Sequence, residues 1–386
     1  MSTLKVGAIR GVSASSDAIT VANDGTATAN LTNRQNKNLV INGAMQVAQR
    51  NTSSVSSGYH TVDRWSNSYA ADANITFTQH ALTSSDSGPY EDGFRFSNHA
   101  QNGDTGAGAV QSLNFQQPIE AQNIATSGWD YTSNSSFITL SFWAKSSVGQ
   151  TFNMSVMTID GTVKNFPFDV TLSANTWTKV TKTIPGDSSL QIDNDNGEGF
   201  RININVFTGT DRTANTVTND TWQNWSSSAR FRDNTSTWFT TNGATFEYTG
   251  VQLEVGSIAT DFEHRSFAQE LALCQRYYQT IGVGFIAAAR GASSSQLLYS
   301  YTPPVNMRSS PSISTTNDGF NGTFGVRSYR DGSGTSDSTS TPTTNSTYFQ
   351  EINPTIHLVQ GGFSVTDDRS ANIFVNGGAI TLTAEL

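Results

Sequence analysis

The sequence predicts an all-β protein: a jelly-roll or β-sandwich domain, one connecting helix, and a C-terminal β-sandwich. Three observations carry this prediction. Apolar residues alternate with polar ones at period two in segment after segment. Turn clusters rich in Gly, Asn, Asp and Ser separate those segments. One stretch alone has good helical spacing. The composition agrees: of 386 residues, 35% are hydrophobic, 10% aromatic and 14% charged, with 32 Gly. Many short strands with thin cores fit that mixture, and thin cores in a long polar chain favour burial of further surface between subunits.

Residues 1–37 come first. They are small and polar, with short apolar beats at Ile19-Thr20-Val21 and Ala27-Thr28-Ala29-Asn30-Leu31 that suit a hairpin across Asn23-Asp24-Gly25-Thr26. The segment holds too little apolar surface to order alone and needs a partner.

Residues 38–265 form the predicted jelly roll. In Ile138-Thr139-Leu140-Ser141-Phe142-Trp143-Ala144 the even positions are apolar and face a core. Phe200-Arg201-Ile202-Asn203-Ile204-Asn205-Val206 repeats the pattern, as do Phe152/Met154/Val156 and Phe166/Phe168/Val170. In Phe246–Val255 the apolar positions are even before Gly250 and odd after it, which predicts a β-bulge at Gly250.

The helix follows at 266–279, within a connector of 266–280. Phe267, Leu271, Cys274 and Tyr278 fall on one helical face, and Ser266 with Gln269 makes a capping box. Cys274, the single cysteine, reads as a small buried residue. Residues 281–386 return to strand patterning around a Gly/Ser/Thr-rich stretch near Asp331–Ser346.

Several function classes are disfavoured. Net charge is −9 and no Lys/Arg cluster stands out, so a nucleic-acid footprint is missing. No apolar run is long enough to span a membrane. The first residues lack the apolar core of a signal peptide. His60, His80, His99, His264 and His357 have no metal-ligand spacing, and phosphate-loop, GxSxG and HExxH motifs are missing. The expectation is therefore a protein without catalytic machinery. A carboxylate pair for glycoside hydrolysis need only meet in space, so a glycan depolymerase stays as an alternative.

Two strings carry a family resemblance. Asn38-Leu39-Val40-Ile41-Asn42-Gly43-Ala44-Met45 with Tyr59-His60-Thr61-Val62-Asp63-Arg64-Trp65 resembles the opening of the jelly roll in many phage tail-fibre-like proteins. Thr249–Gly256, running through Phe262-Glu263-His264-Arg265-Ser266 to Glu270–Tyr278, is similar to its closing strand and helix. Leu140–Ser146 and Trp177–Val180 resemble strands of a carbohydrate-binding module, and Met1–Val6 with Asp17–Thr20 is similar to tail proteins of marine and cyanobacterial phages. The resemblance covers roughly residues 38–280; beyond it, Pro304–Pro311 is similar to a Met-Arg…Pro element of C-terminal tail-fibre sandwiches.

What the resemblance implies is a virion protein released by lysis, homotrimeric, and attached through residues 1–37 to a phage tail or adaptor protein. It would adsorb the particle to host-cell surface glycan. The alternative within the same particle is a purely architectural role, as tail adaptor or head fibre.

Candidate ligand residues follow from side-chain chemistry. Trp143 points away from the core and could stack on a sugar ring, with Asn203 and Asn205 hydrogen-bonding hydroxyls; the competing reading is that a loop or neighbouring subunit covers Trp143. Residues 281–386 are expected to be the distal, receptor-binding tip: there Tyr329, Tyr348 and Phe349 stand among Gly, Ser, Thr and Asn, a mixture suited to polar ligands, or else pin a long loop to its own sandwich. Asp193, Asp195 and Glu198 form the densest oxygen group and are a candidate Ca²⁺ site, against the plainer reading of a solvated hairpin turn. No other cofactor is expected. Asp63-Arg64 reads as a structural ion pair.

Overall fold

The computed structural model describes residues 6–10, 12, 19–21, 27–29, 36–70, 74–104, 106–282, 284–293, 296–316, 324–328, 343–344, 356–361, 370–375 and 379–386. Strands dominate, and the fold is an all-β sandwich. The first three strands, β1 (Ala8–Ile9), β2 (Ile19–Val21) and β3 (Ala27–Ala29), make a small antiparallel sheet. The β2–β3 pairing joins the two apolar beats of residues 1–37.

The jelly roll holds β4 (Ser53–Ser54), β5 (Ser66–Ala70), β6 (Ile75–Ala81), β7 (Phe96–Asn102), β8 (Ser112–Glu120), β9 (Phe137–Ser146), β10 (Gln150–Thr158), β11 (Lys164–Leu172), β12 (Thr178–Pro185), β13 (Glu198–Thr208), β14 (Gln223–Asn224) and β15 (Thr245–Val255). They form two six-stranded sheets, ordered β14-β11-β10-β13-β8-β5 and β12-β9-β15-β7-β6-β4. The inward residues of both sheets, among them Phe115, Leu140, Phe142, Phe152, Phe166, Phe168, Ile202, Ile204 and Leu253, fuse into one core. Burying each such side chain contributes roughly 1.5–3 kcal/mol, which is what holds the two sheets face to face.

The bulge at Gly250 is present. Thr249 pairs with Trp143 and Gln252 with Ser141, so Gly250 and Val251 together oppose Phe142. Gly250 has φ of +66°, and a Cβ there would lie 2.5 Å from the Phe94 ring. Only glycine fits both conditions.

The two family-like strings meet in space. Leu39 N donates to Leu253 O, Val251 N to Gly43 O, and Asn38 Nδ2 to Val251 O. Trp65 is fully buried, with its indole donating to Asn42 O.

The helix is shorter than its sequence pattern, and a second, five-residue helix, α1 (Ala121–Ala125), precedes it. The principal helix, α2, runs Phe267–Gln275 behind the predicted Ser266 capping box. It stops because Tyr278 leaves to start strand β16 (Tyr278–Ile281), paired with Thr383. Its buried side is also different: Glu270 and Cys274 are buried while Phe267 is exposed. The Glu270 carboxylate accepts from Asn42 N and faces Arg265, so a polar anchor sets the helix orientation. Burial pushes the Cys274 thiol well up, which leaves it inert.

Beyond the helix lie β16 and eight strands: β17 (Gly284–Ser293), β18 (Gln296–Tyr301), β19 (Ser312–Thr316), β20 (Phe324–Ser328), β21 (Thr343–Thr344), β22 (Ile356–Gly361), β23 (Ser370–Val375) and β24 (Ala379–Thr383). One sheet has the order β16-β24-β19 and the other β20-β23-β17-β18-β22-β21. Asp63 and Arg64 are both structural, but not partners of each other. Asp63 faces Arg50 at 3.7 Å, and Arg64 pairs with Glu385, which lies beyond the last strand and is sequence-remote.

Candidate functional site

Strand β13 positions the site. Phe200, Ile202, Ile204 and Val206 enter the core, so Arg201, Asn203 and Asn205 lie on the opposite face of their sheet. Antiparallel register extends this polar face sideways. Asn203 pairs with Gln116 of β8 and Ser155 of β10, and Gln116 in turn with Ser66 of β5. Asn205 pairs with Asn114, and Arg201 aligns with Met157, which aligns with Asn165 of β11. The result is a band of amide and hydroxyl side chains across the sheet.

A wall closes one side of the band. Within residues 209–237, Trp225 N donates to Val163 O, β14 pairs with β11, and Arg230 N donates to Arg212 O. Trp225, Arg230 and Phe231 thereby line a groove of about 250 Å³ together with Asn114, Gln116, Ser155, Asn165, Arg201, Asn203 and Asn205. Trp225 is 38% exposed although large and apolar.

Three groove residues carry buried polar atoms that no protein group reaches: Asn205 Nδ2, Asn165 Oδ1 and Arg230 Nε. Asn205 is 4% exposed and Asn165 2%. An unmet buried donor or acceptor costs about 1–3 kcal/mol, and three of them converge on this one groove. Asn165 is oriented by its Nδ2, which donates to Arg230 O at 2.8 Å. Arg201 is already engaged, its Nε and Nη2 donating to both Glu198 carboxylate oxygens at 2.5 and 2.6 Å.

A larger groove of about 1220 Å³ runs beside α2, lined by residues that include Leu39, Asp261, Glu263, Arg265 and Leu273. Its polar groups are spent on the fold. Glu263 accepts from Asn36 N and Asn38 N, and Arg265 donates to Asn38 O and Val40 O. No unpartnered buried atom lies among its lining residues. Size alone does not make it the better site.

Of the residues singled out in the sequence, Asn203 and Asn205 lie in the smaller groove. Trp143 does not join them. It sits on the other sheet, half-buried under the loop after β6, with Gly88 close above its ring and its indole donating to Asp92 at 3.0 Å. The covering loop explains its outward aromatic face. Tyr329, Tyr348 and Phe349 lie outside the described residues. Asp193, Asp195 and Glu198 lie around Asp160, whose carboxyl pKa is raised by burial first and then by these charges, but each is otherwise engaged: Glu198 is held by Arg201, Asp195 accepts from Gly197 N, and Asp193 N donates to Asp160. Among the described residues no group of three acidic, His or Cys side chains is placed to hold a metal.

Sequence reasoning missed Asn114 and Gln116, although Leu113 and Phe115 between them carry the alternation that exposes them. It also missed Trp225 and Arg230, which stand in an aperiodic stretch without a pattern to read.

No family model matches the chain, and no curated protein matches it. Among solved structures it is similar to a family 4 carbohydrate-binding module, at 14% identity and a TM-score of 0.31, over 56% of this chain and 98% of that one. It is similar to the N-terminal cellulose-binding domain of Cellulomonas fimi β-1,4-glucanase C at 9% identity and a TM-score of 0.27, over 55% of this chain and 99% of that one. Family 16 carbohydrate-binding module-2 gives 10% identity and a TM-score of 0.22, over 47% of this chain and 86% of that one. These likenesses are loose.

Proposed function

We propose that this chain is a phage receptor-binding virion protein, of the tail-fibre kind, that adsorbs the particle to host-surface glycan without catalysis. In this reading it works as a homotrimer, residues 1–37 attach it to the tail or an adaptor protein, and the groove on β13 holds the saccharide. The observation that carries glycan binding is the convergence of unmet polar atoms at Asn205, Asn165 and Arg230 beside the exposed Trp225. Sugar hydroxyls both donate and accept, and side-chain amides answer both demands from one fixed plane. The indole offers the apolar face that a sugar ring covers with its C–H groups. The particle-level role is supported by the family-like strings at residues 38–65 and 249–278.

Two measurements test this reading. The purified full chain, applied to a saccharide array, should bind a defined subset, and Asn205→Ala or Trp225→Ala should each lower that binding about tenfold or more. The same protein should block adsorption of the phage to its host cells. Array binding that neither substitution weakens, or no binding at all, removes the groove from the proposal. Groove-dependent binding without blocking of adsorption would make the protein an architectural part of the particle.

A further inference from the structure

We propose that the groove selects an acidic saccharide, one bearing a carboxylate or sulfate, and that Arg230 is the residue that reads the negative charge. This deepens the glycan-binding reading and rests on it. The groove contains guanidinium groups and no carboxylate of its own: Arg201 and Arg230 line it, while Asp and Glu do not. The two arginines are not equivalent. Arg201 is neutralised by the bidentate Glu198 contact. Arg230 has no carboxylate partner among the described residues, and its Nε meets no acceptor.

Its surroundings sharpen the imbalance. Backbone bonds fix Arg230 at both of its peptide groups, N to Arg212 O and O from Asn165 Nδ2. The guanidinium carbon lies 5.5 Å from the centre of the Trp225 ring, so the fork is pre-positioned beside the aromatic wall. Arg212, the next cation, repels rather than compensates. Burial first, and Arg212 second, push the Arg230 pKa below its ordinary value, the signature of a charge held where its charged form is disfavoured. The chain as a whole carries −9, so an uncompensated cation here does not come from a general surplus of positive charge. A neutral sugar would satisfy the amides and leave this charge unmet. A carboxylate or sulfate accepts two parallel N–H bonds from a guanidinium fork and supplies the missing charge.

The test uses the full chain on a panel of neutral, uronate-bearing and sulfated oligosaccharides of matched length, with Arg230→Gln and Asn205→Ala alongside. The expected result is binding to acidic members at least tenfold tighter than to neutral ones, weakening as salt rises. Arg230→Gln should remove that preference, and Arg230→Lys, which keeps the charge and loses the fork, should restore only part of it. The uronate and sulfate arms decide which anion is preferred. Thermal midpoints of the Arg230 variants should stay close to the parent's, since only the contact with the Trp225 ring and no internal ion pair is lost. Neutral saccharides bound as tightly as acidic ones, with binding sensitive to Asn205→Ala, would overturn the charge inference while leaving the groove as the glycan site. Binding indifferent to Asn205→Ala would remove the groove itself, and this inference with it.

Discussion

Arg64 shows what single residues contribute here. It is buried with a left-handed φ of 71°, its guanidinium stacks 3.5 Å from the centre of the Tyr277 ring, and it donates to Pro118 O at 2.7 Å. Its charge is met by Glu385. Removing one member of a buried ion pair strands the other, at a cost of about 3–5 kcal/mol. Glu385→Ala should therefore lower the urea midpoint strongly while leaving the slope of the transition unchanged. Equal midpoints would show that Arg64 finds solvent instead. The adjacency of Asp63 and Arg64 made a local pair look natural, and local sequence holds no sign that Arg64's partner lies 321 positions away. The same limit hid Arg230, whose role depends on which strand it crosses.

At the scale of elements, the strands were legible and the connections were not. Alternation in β9 and β13 marked which residues enter the core, and the change of phase at Gly250 located the bulge. Gly250→Ala should destabilise by about 2 kcal/mol or more, from the left-handed backbone and the close Phe94 ring together, measured by thermal or chemical unfolding. A wild-type midpoint in that variant would mean the bulge relaxes freely. The helix ends short of its sequence pattern because Tyr278, which continues the period, pairs with Thr383 of β24, and Tyr277 O accepts from Ala384 N just beyond that strand. The loop covering Trp143 was legible only as one of two options. It is anchored by Asp86, which accepts from Thr83 N, the Trp177 indole and Lys145. Burial raises the Asp86 carboxyl pKa, but those three donors outweigh it and hold it at about 2. A carboxyl with its folded pKa depressed contributes stability that is present above about pH 4 and is lost as the pH falls through the folded value. The thermal midpoint should thus drop between pH 5 and pH 2, and Asp86→Asn should flatten that drop. A variant profile parallel to the parent's would assign the acid sensitivity elsewhere.

For the whole molecule, the described surface leaves Phe267, Ile258, Val255 and Leu273 substantially exposed around α2 and the strand before it. Together with the trimer implied by the family-like strings, this predicts a mass in solution of three chains. Light scattering at micromolar concentration should show it, and a monomer would count against the fibre reading. A charged substitution at two of these positions, Phe267→Glu with Leu273→Glu, should then shift the mass toward the monomer without unfolding it. The all-β class and the two-sheet core were readable from periodicity and turn chemistry. Sheet order was not, because antiparallel partners such as β13 and β8 are far apart in sequence.

The Arg64–Glu385 contact also sets a clock. Synthesis at about 5–20 residues per second separates the emergence of these two residues by roughly 15–60 s. Once Val255 has emerged the nascent jelly roll has every strand it needs, yet until Glu385 follows it carries an arginine without that counterion in the place where it must be buried. The buried pair at Arg64 can thus form only after translation passes residue 385. A chain that ends before residue 385 has a jelly roll that is complete in its strands and incomplete at its buried charge pair.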